Sequence, residues 1–480
     1  MRLHLSRHSW NPSRRPWNLS RRRCRWASAA VAAAAALTAG CVLPAASAAA
    51  STGLSTGLST GLSTGAPAGR AIGAGSTGDH GRFFVPPPSS GAPQQVVSLL
   101  KDHDVKEAAL IAEMEAIPRA VWFTSGTPAQ VQQQVRQTMA EAALERAVPV
   151  LVAYDIPGRD CAQYSAGGAL NEAAYDAWID GFAQGIGGGK AVVILEPDAL
   201  GNMPSNCGLS SSVYPFTDAE RIAEIQSGVA ALEADPGVSV YLDGTHSAWQ
   251  SVGTITQRLL EADVQQAQGF FLNVSNYQAD QNLTDYGTWI SDCIAMVTDS
   301  ANPFYNNPAG CASQYYPATE SDFSTWGLTT QWYAQNMGNA VATTHFVVDT
   351  SRNGDGPNGM QQYGSAPYDQ PASVLSTLAS GNWCNPPASG LGLKPTANTG
   401  VPLLDAYLWV KTPGQSDGQC DAAGGVRAWD YAAYTQPGWP TDAASQALFD
   451  PLWGLDDPAA GAWFPQQAVQ LAQDASPALP

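Results

Sequence analysis

Seven short apolar runs constrain this chain more than any other feature. They are Ala120–Phe123, Val148–Ala153, Ala191–Leu195, Val238–Leu242, Gly269–Leu272, His345–Val348 and Leu403–Val410. The third, Ala191-Val192-Val193-Ile194-Leu195, has no polar break, as expected of a strand buried on both faces of a parallel sheet. The stretches Gln94–Ala116, Pro128–Glu145, Glu172–Gln184, Asp218–Glu233 and Thr254–Gln265 place apolar residues at helical spacing. Strands alternating with helices imply parallel strands joined by right-handed crossovers. The length suits a closed barrel, and seven strands instead of eight imply a distorted one. The expected fold is α/β: a distorted seven-stranded parallel β/α barrel with long disulfide-braced loops over its C-terminal face.

In such a barrel the chemistry sits just past the strand ends. The third run continues as Glu196-Pro197-Asp198, and Pro197 lacks the N–H that would continue the ladder. The other ends offer Trp122, Tyr154 with Asp155, Arg159 and Asp160, Asp243 with His246 and Trp249, Asn273 with Asn276, Asp349, and Lys411 with Asp417. Asp155 and Asp349 read equally well as caps for backbone N–H groups. Trp122 suits the core as well as a platform, a lone His246 is more often structural, and Arg159 beside Asp160 reads as a plain ion pair. The set as a whole resists that bland reading. Carboxylates interleaved with indoles and amides at successive strand ends suit a sugar polymer, because paired carboxyl groups are the usual means of glycoside hydrolysis.

Residues 1–48 read as an export signal. They hold eight arginines and no acid, then the apolar Ala27–Leu37 and the cleavage pattern Ala46-Ser47-Ala48. Arg21-Arg22-Arg23 leaves the twin-arginine route open. Lipid attachment at Cys41 is a minor alternative, since Thr38 stands where a large aliphatic residue belongs. Residues 49–81 repeat Ser-Thr-Gly-Leu and read as a low-complexity linker, leaving 82–480 as the barrel domain. A secreted, extracellular protein is expected. Removing the signal's eight arginines takes the formal charge from −18 to −26. Such acidity disfavours nucleic acid and anionic membrane as partners, and neither is expected. Six cysteines remain: Cys161, Cys207, Cys293, Cys311, Cys384 and Cys420. An even count in an exported chain implies disulfides, with pairing in chain order expected although the connectivity is open. No cysteine or histidine cluster calls for a metal, and no cofactor is expected.

The motifs Tyr154–Cys161 (YDIPGRDC), Ile194–Leu200 (ILEPDAL), Tyr241–Trp249 (YLDGTHSAW), Asn273–Tyr277 (NVSNY), Trp383–Pro387 (WCNPP) and Trp409–Gly418 (WVKTPGQSDG) resemble glycoside hydrolase family 6. That family contains the cellobiohydrolases and endoglucanases that cut β-1,4-glucan with inversion. The resemblance covers roughly residues 82–475 and implies a distorted seven-stranded barrel. It implies Asp198 as general acid, and Asp160 as the aspartate that raises the acid's pKa and receives a proton through water. It places Tyr154 beneath the distorted sugar, Asp243 as a support and Asp417 as the aspartate often proposed as base, an assignment unsettled in the family. Trp249 and Trp383 resemble sugar platforms, Lys411 a hydroxyl-binding lysine, and Ser165 a serine that holds the attacking water. His246, Asn276 and Arg159 fall within the matching motifs and are carried as substrate contacts. The family's disulfides match Cys161–Cys207 and Cys384–Cys420, which leaves Cys293 with Cys311. Two departures are Gln415, where many relatives have glutamate, and Gly244-Thr245, where Ala-Gly is more usual.

The resemblance implies cellulose or another β-1,4-glucan as the partner and a monomer as the working form. Exo-action with release of cellobiose is preferred, because residues 277–325 and 350–400 are long enough to roof a tunnel. An endoglucanase is the alternative. A carbohydrate-binding protein without catalysis is disfavoured, since both Asp198 and Asp160 are present.

Overall fold

The computed structural model describes residues 82–420 and 426–480. The signal and linker readings at 1–48 and 49–81 lie outside the described residues. Seven strands form one parallel sheet in chain order: β1 (Val121–Phe123), β2 (Val150–Ala153), β3 (Ala191–Leu195), β4 (Val238–Asp243), β5 (Gly269–Leu272), β6 (His345–Asp349) and β7 (Leu404–Leu408). Val193 lies opposite Leu151 on one side and Val240 on the other. A bulge between Phe346 and Val347 shifts β6 against β7. Among the described residues β1 and β7 share no ladder. They meet only where Ala120 N–H donates to the Trp409 carbonyl and Trp122 Nε1 to that of Val410, each at 2.8 Å. The sheet is therefore a curled barrel left open along one seam, the distortion that the strand count implied.

Both faces of the sheet are buried, which is why the strands read as unbroken apolar runs. Val192, Ile194, Tyr241, Phe271, Val347 and Leu408 form the interior. Val193, Leu195, Val240, Leu242, Phe270 and Phe346 face the helices. Each such aliphatic side chain contributes about 1.5–3 kcal/mol by leaving water. The helical layer comprises α1 (Ala92–Lys101), α2 (Val105–Glu115), α3 (Pro128–Leu144), α4 (Glu172–Ile186), α5 (Asp218–Glu233), α6 (Val252–Glu261), α7 (Asp280–Thr298), α8 (Trp326–Asn336), α9 (Ala372–Ser380) and α10 (Pro465–Gln473). Thr127 with Gln130 and Thr217 with Glu220 form capping boxes that start α3 and α5.

The structure corrects the sequence reading in two places. Gln94–Ala116 is two helices, broken at Asp102–Asp104 where His103 takes a left-handed φ of 67°. Residues 277–325 are not one long loop. They open with α7, which buries Leu283, Tyr286, Trp289, Ile290 and Ile294 against the sheet. Its Asp, Asn, Thr and Tyr residues are weak helix formers, and burial of one face overrides propensity. Likewise α8 and α9 were not apparent from periodicity. The three disulfides join Cys161 to Cys207, Cys293 to Cys311 and Cys384 to Cys420. The second fastens the buried interior of α7 to the loop behind it.

Candidate active site

The chain turns sharply as it leaves the strands, and residues other than glycine make many of the turns. Asp160, Glu196, Asp198, Thr245, Asn273 and Asn385 hold φ between 40° and 68°. Each costs about 1–3 kcal/mol of backbone strain, so surrounding bonds must fix it. Glu196 is fully buried, and its carboxylate accepts the N–H groups of Asp155 (3.0 Å) and Ile156 (3.1 Å). Burial pushes its carboxyl up to about 8 against the pull of those two donors. Asp243 accepts Leu200 N–H (3.0 Å) and Gly201 N–H (2.9 Å) on one oxygen and Thr245 N–H (2.9 Å) on the other. It thereby ties the end of β4 to the loop carrying Asp198. Burial raises Asp243 to about 6, again opposed by its backbone donors.

The Gly244-Thr245 departure has a local cause. A Cβ at position 244 would stand 2.6 Å from the Phe270 ring and 2.9 Å from the Phe271 carbonyl. Thr245 keeps its left-handed backbone with its hydroxyl 3.2 Å from that of Tyr286. The indole of Trp249 lies on Gly201, where a Cβ would stand 2.4 Å from the ring.

Asp198 stands half-buried at the edge of a cleft of about 650 Å³ at this end of the barrel. Burial holds its carboxyl well above the usual carboxylate range, and the charges of Asp243, Asp160 and Asp417 raise it further, while Lys411 opposes them. Asp160 is pushed up to about 6 by burial, with Ser165 N–H (2.6 Å) and Arg159 pulling it down. Six predicted residues line the cleft: Asp160, Asp198, His246, Trp249, Asn276 and Trp383. Burial lowers His246 to about 4, so the ring is neutral. Its Nδ1 accepts Ala248 N–H at 3.2 Å, leaving Nε2 as the donor.

The other predicted residues stand behind this lining. Tyr154 meets Trp122 edge-on at 5.4 Å, and burial raises its hydroxyl pKa, with the charges of Asp198 and Asp160 raising it further. Arg159 lies 4.7 Å from the Tyr154 ring centre and donates to the carbonyls of Ser165 (2.8 Å), Thr124 (2.7 Å) and Tyr154. Its Nε and Nη1 thereby hold the loop. Ser165 acts through its N–H on Asp160. Lys411 binds Asp417 Oδ1 and the Ser416 carbonyl, each at 3.1 Å.

Asp417 is nearly buried and saturated with donors. Arg352 Nη1 (2.9 Å), Tyr277 hydroxyl (3.0 Å) and Asn385 N–H (3.0 Å) all reach Oδ2. Burial alone would raise Asp417, but Arg352 and Lys411 hold it well below the usual carboxylate range. Sequence reasoning missed Arg352 and Asn385. Arg352 follows the end of β6 by three residues, in a chain with few bases, and that was the available signal. Asn385 lies in a quoted motif; its side chain bonds Ser416 Oγ, the Gly418 carbonyl, Asp457 Oδ2 and Asp417 N–H. Asp155 lies 3.8 Å from Arg159, and Asp349 accepts the N–H groups of Ser275, Ser351, Val410 and Lys411. The supporting role weighed for Asp349 is the one it fills.

Indole faces take pyranose rings, and a neutral carboxyl beside an ionisable one can protonate a leaving oxygen. On a parallel barrel with its cleft at the strand ends, that combination defines a glycoside hydrolase. The chain belongs to the glycosyl hydrolases family 6, whose family model matches residues 79–475. It is 31% identical over 363 residues to Endoglucanase A of Thermobispora bispora, a match spanning 74% of this chain and 62% of that protein's length. It is 33% identical over 318 residues to Endoglucanase 1 of Streptomyces sp. (strain KSM-9), covering 65% and 68%. The 1,4-beta-D-glucan cellobiohydrolase C of Emericella nidulans is 27% identical, covering 76% and 70%. Among solved structures, the endoglucanase Cel6 from Mycobacterium tuberculosis in complex with methyl-cellobiosyl-4-deoxy-4-thio-beta-D-cellobioside gives a TM-score of 0.54 at 29% identity, covering 82% of this chain and 97% of that one.

Proposed function

We propose that this enzyme hydrolyses β-1,4-glucosidic bonds of cellulose-type glucans with inversion. The observation that carries the reading is the Asp198 carboxyl at the cleft, its pKa raised by burial and by three neighbouring carboxylates, as a general acid requires. Asp198 donates its proton to the leaving oxygen as the glycosidic bond breaks. Water attacks the anomeric carbon from the opposite face, and its proton passes to Asp160 through solvent. Trp249 and Trp383 seat the sugar rings, while His246 and Asn276 reach their hydroxyls. Asp243 and Asp417 fix the charges around the acid. The three disulfides and the acidic surface favour secretion. We take the working form to be a monomer. NMR of the first product formed from a cello-oligosaccharide tests the reading: α-anomer is expected, and initial β-anomer overturns it.

For the mode of attack we favour internal cuts over the exo-action preferred from sequence. The cleft is bordered by Glu320, Phe323 and Trp326 from one loop and by Pro357, Asn382 and Trp383 from another. Among the described residues no hydrogen bond, ion pair, disulfide or ring contact joins 313–326 to 350–388. Trp383 instead meets Tyr164 of the Asp160 loop, 6.0 Å between ring centres, and the side left untied favours a groove that accepts a chain along its length. Names of relatives point the same way, since those at 31–33% identity are endoglucanases and those named cellobiohydrolases are 27–28% identical. The test plots viscosity of carboxymethyl-cellulose against reducing ends. Rapid thinning per bond cut is expected, and slow thinning restores the exo reading.

A further inference from the structure

Beyond the cleft, the exposed aromatic side chains are unevenly placed. Among the described residues the most exposed large aromatics outside it are Tyr305 (47%), Tyr315 (42%) and Tyr316 (75%), while Phe323 (59%) borders the cleft itself. All fall in the loop between α7 and α8. That loop is tightly built. Besides the Cys293–Cys311 disulfide, Ala312 and Ser313 give their carbonyls to the hydroxyls of Tyr333 (2.8 Å) and Thr329 (2.9 Å). Gln314 donates to the Gln250 carbonyl at 2.9 Å, and the Tyr315 hydroxyl to the Trp249 carbonyl at 3.0 Å. Exposed rings on a rigid loop present contact area without an ordering cost when a ligand arrives.

Tyr316 borders a separate hollow of about 460 Å³ between this loop and the start of α6. Trp332 is its second ring, and Ser251, Thr254, Gln257 and Ser313 supply hydroxyl and amide groups. Aromatic surface beside neutral hydrogen-bonding groups is the chemistry that takes a pyranose, whose faces are apolar and whose edge is hydroxylated. None of the residues lining this hollow carries a charge. That argues against a nucleic acid, a phosphate or a charged peptide. Tyr315 connects the hollow to the cleft: its neighbour Tyr316 borders one, and its hydroxyl holds Trp249 in the other.

We propose that this hollow is an accessory binding site for a β-glucan segment outside the cleft, with Tyr316 as its stacking platform. The proposal rests on the glucan-hydrolase reading above. It gives the enzyme a hold on insoluble substrate that short soluble chains do not use.

The test uses the full chain carrying Tyr316→Ala, Tyr316→Trp or Tyr305→Ala. Partition onto insoluble cellulose is measured in the cold, beside kcat/KM on cellotetraose. Tyr316→Ala should weaken partition about three- to tenfold, the range expected for one exposed stacking contact. It should leave cellotetraose hydrolysis within about twofold, because Tyr316 is exposed and outside the cleft. Tyr316→Trp should bind at least as well as the unmutated enzyme. Tyr305→Ala, which borders neither cavity, should change nothing. Partition undiminished in Tyr316→Ala overturns the site, and so does an equal loss with Tyr305→Ala, which indicates general stickiness. A parallel loss on cellotetraose also overturns it, because Tyr316 would then act through Trp249. An unmutated enzyme inert on cellotetraose removes the hydrolase reading itself and this site with it.

Discussion

Removing the Asp243 charge should move the pH dependence of catalysis as well as destabilise the fold. The carboxylate is 2% exposed and receives three backbone N–H groups at 2.9–3.0 Å. Asp243→Asn keeps one acceptor oxygen. If that oxygen stays with Leu200 and Gly201, the new amide faces Thr245 N–H and leaves one buried donor orphaned, a cost of about 1–3 kcal/mol. Asp243→Ala orphans all three and should cost roughly three times as much before water relieves it. Urea denaturation reads both values. The catalytic effect has a definite sign. The Asp243 charge is the largest electrostatic contribution, after burial, to the raised pKa of Asp198. Without it Asp198 ionises more readily, so the alkaline limb of kcat/KM on cellotetraose should move to lower pH in Asp243→Asn. A support acting only through placement would lower activity at every pH and leave the limb where it was. An unmoved alkaline limb therefore refutes the electrostatic reasoning, and an unchanged denaturation midpoint refutes the accounting of its hydrogen bonds.

Four further outcomes are expected. Asp198→Ala should lower cellotetraose hydrolysis by about 10²–10⁴-fold while sparing substrates with a good leaving group, as steady-state rates on both will tell. The unmutated enzyme is expected to show an acid limb near pH 6 in a pH profile of kcat/KM, and Asp160→Asn should erase it. Arg352→Met leaves Asp417 buried beside one cation fewer, and should cost about 3–5 kcal/mol in denaturant titration. At the opposite end of the barrel, Asp405 lies 2.7 Å from His345 Nδ1 and raises its pKa, so their pairing stabilises the fold below the unfolded histidine pKa and is lost as pH rises through the folded one. The gap in thermal midpoint between the unmutated enzyme and His345→Gln should accordingly be widest in acid and close towards alkaline pH.

The strands were legible because burial on both faces left a signal that little else in a chain produces. Ala191–Leu195 and Gly269–Leu272 are bounded in the structure as the sequence implied. The helix α7 was illegible for the opposite reason. Its apolar residues sit among Asn, Asp, Thr and Tyr, and what makes it helical is contact with a sheet distant in sequence. The cleft carboxylates Asp160 and Asp198 were visible as acids just past strand ends. Arg352 was not, because a buried cation is recognised by the anion it faces, and Asp417 lies 65 residues away. The bonds that Arg159 and Lys411 make inside the protein were hidden on the same ground. Sequence offers a donor, and only the folded chain reveals which backbone carbonyls or carboxylate it meets.

The partners of the carboxylates also bear on which of them receives the proton of the attacking water. Asp417 has Lys411 on one oxygen and Arg352, Tyr277 and Asn385 on the other. A carboxylate offers about four acceptor sites, and four donors share them here. A proton must neutralise an anion that two cations stabilise in a medium where charge is poorly screened. Its pKa is held low for that reason, and a weakly basic group gives little driving force for proton transfer. Asp160 is placed differently. Among the described residues its carboxylate takes one hydrogen bond, from Ser165 N–H to Oδ2, and it borders the cleft. Burial has brought it to about 6, so near neutral pH it can both take up and release a proton. If Asp198 is the acid, as proposed, losing its proton makes it an anion near Asp160, which makes Asp160 still more ready to take one. On the proposed mechanism the charge left by one step draws in the proton of the other, while Asp417, held low by Arg352 and Lys411, keeps both cations in place.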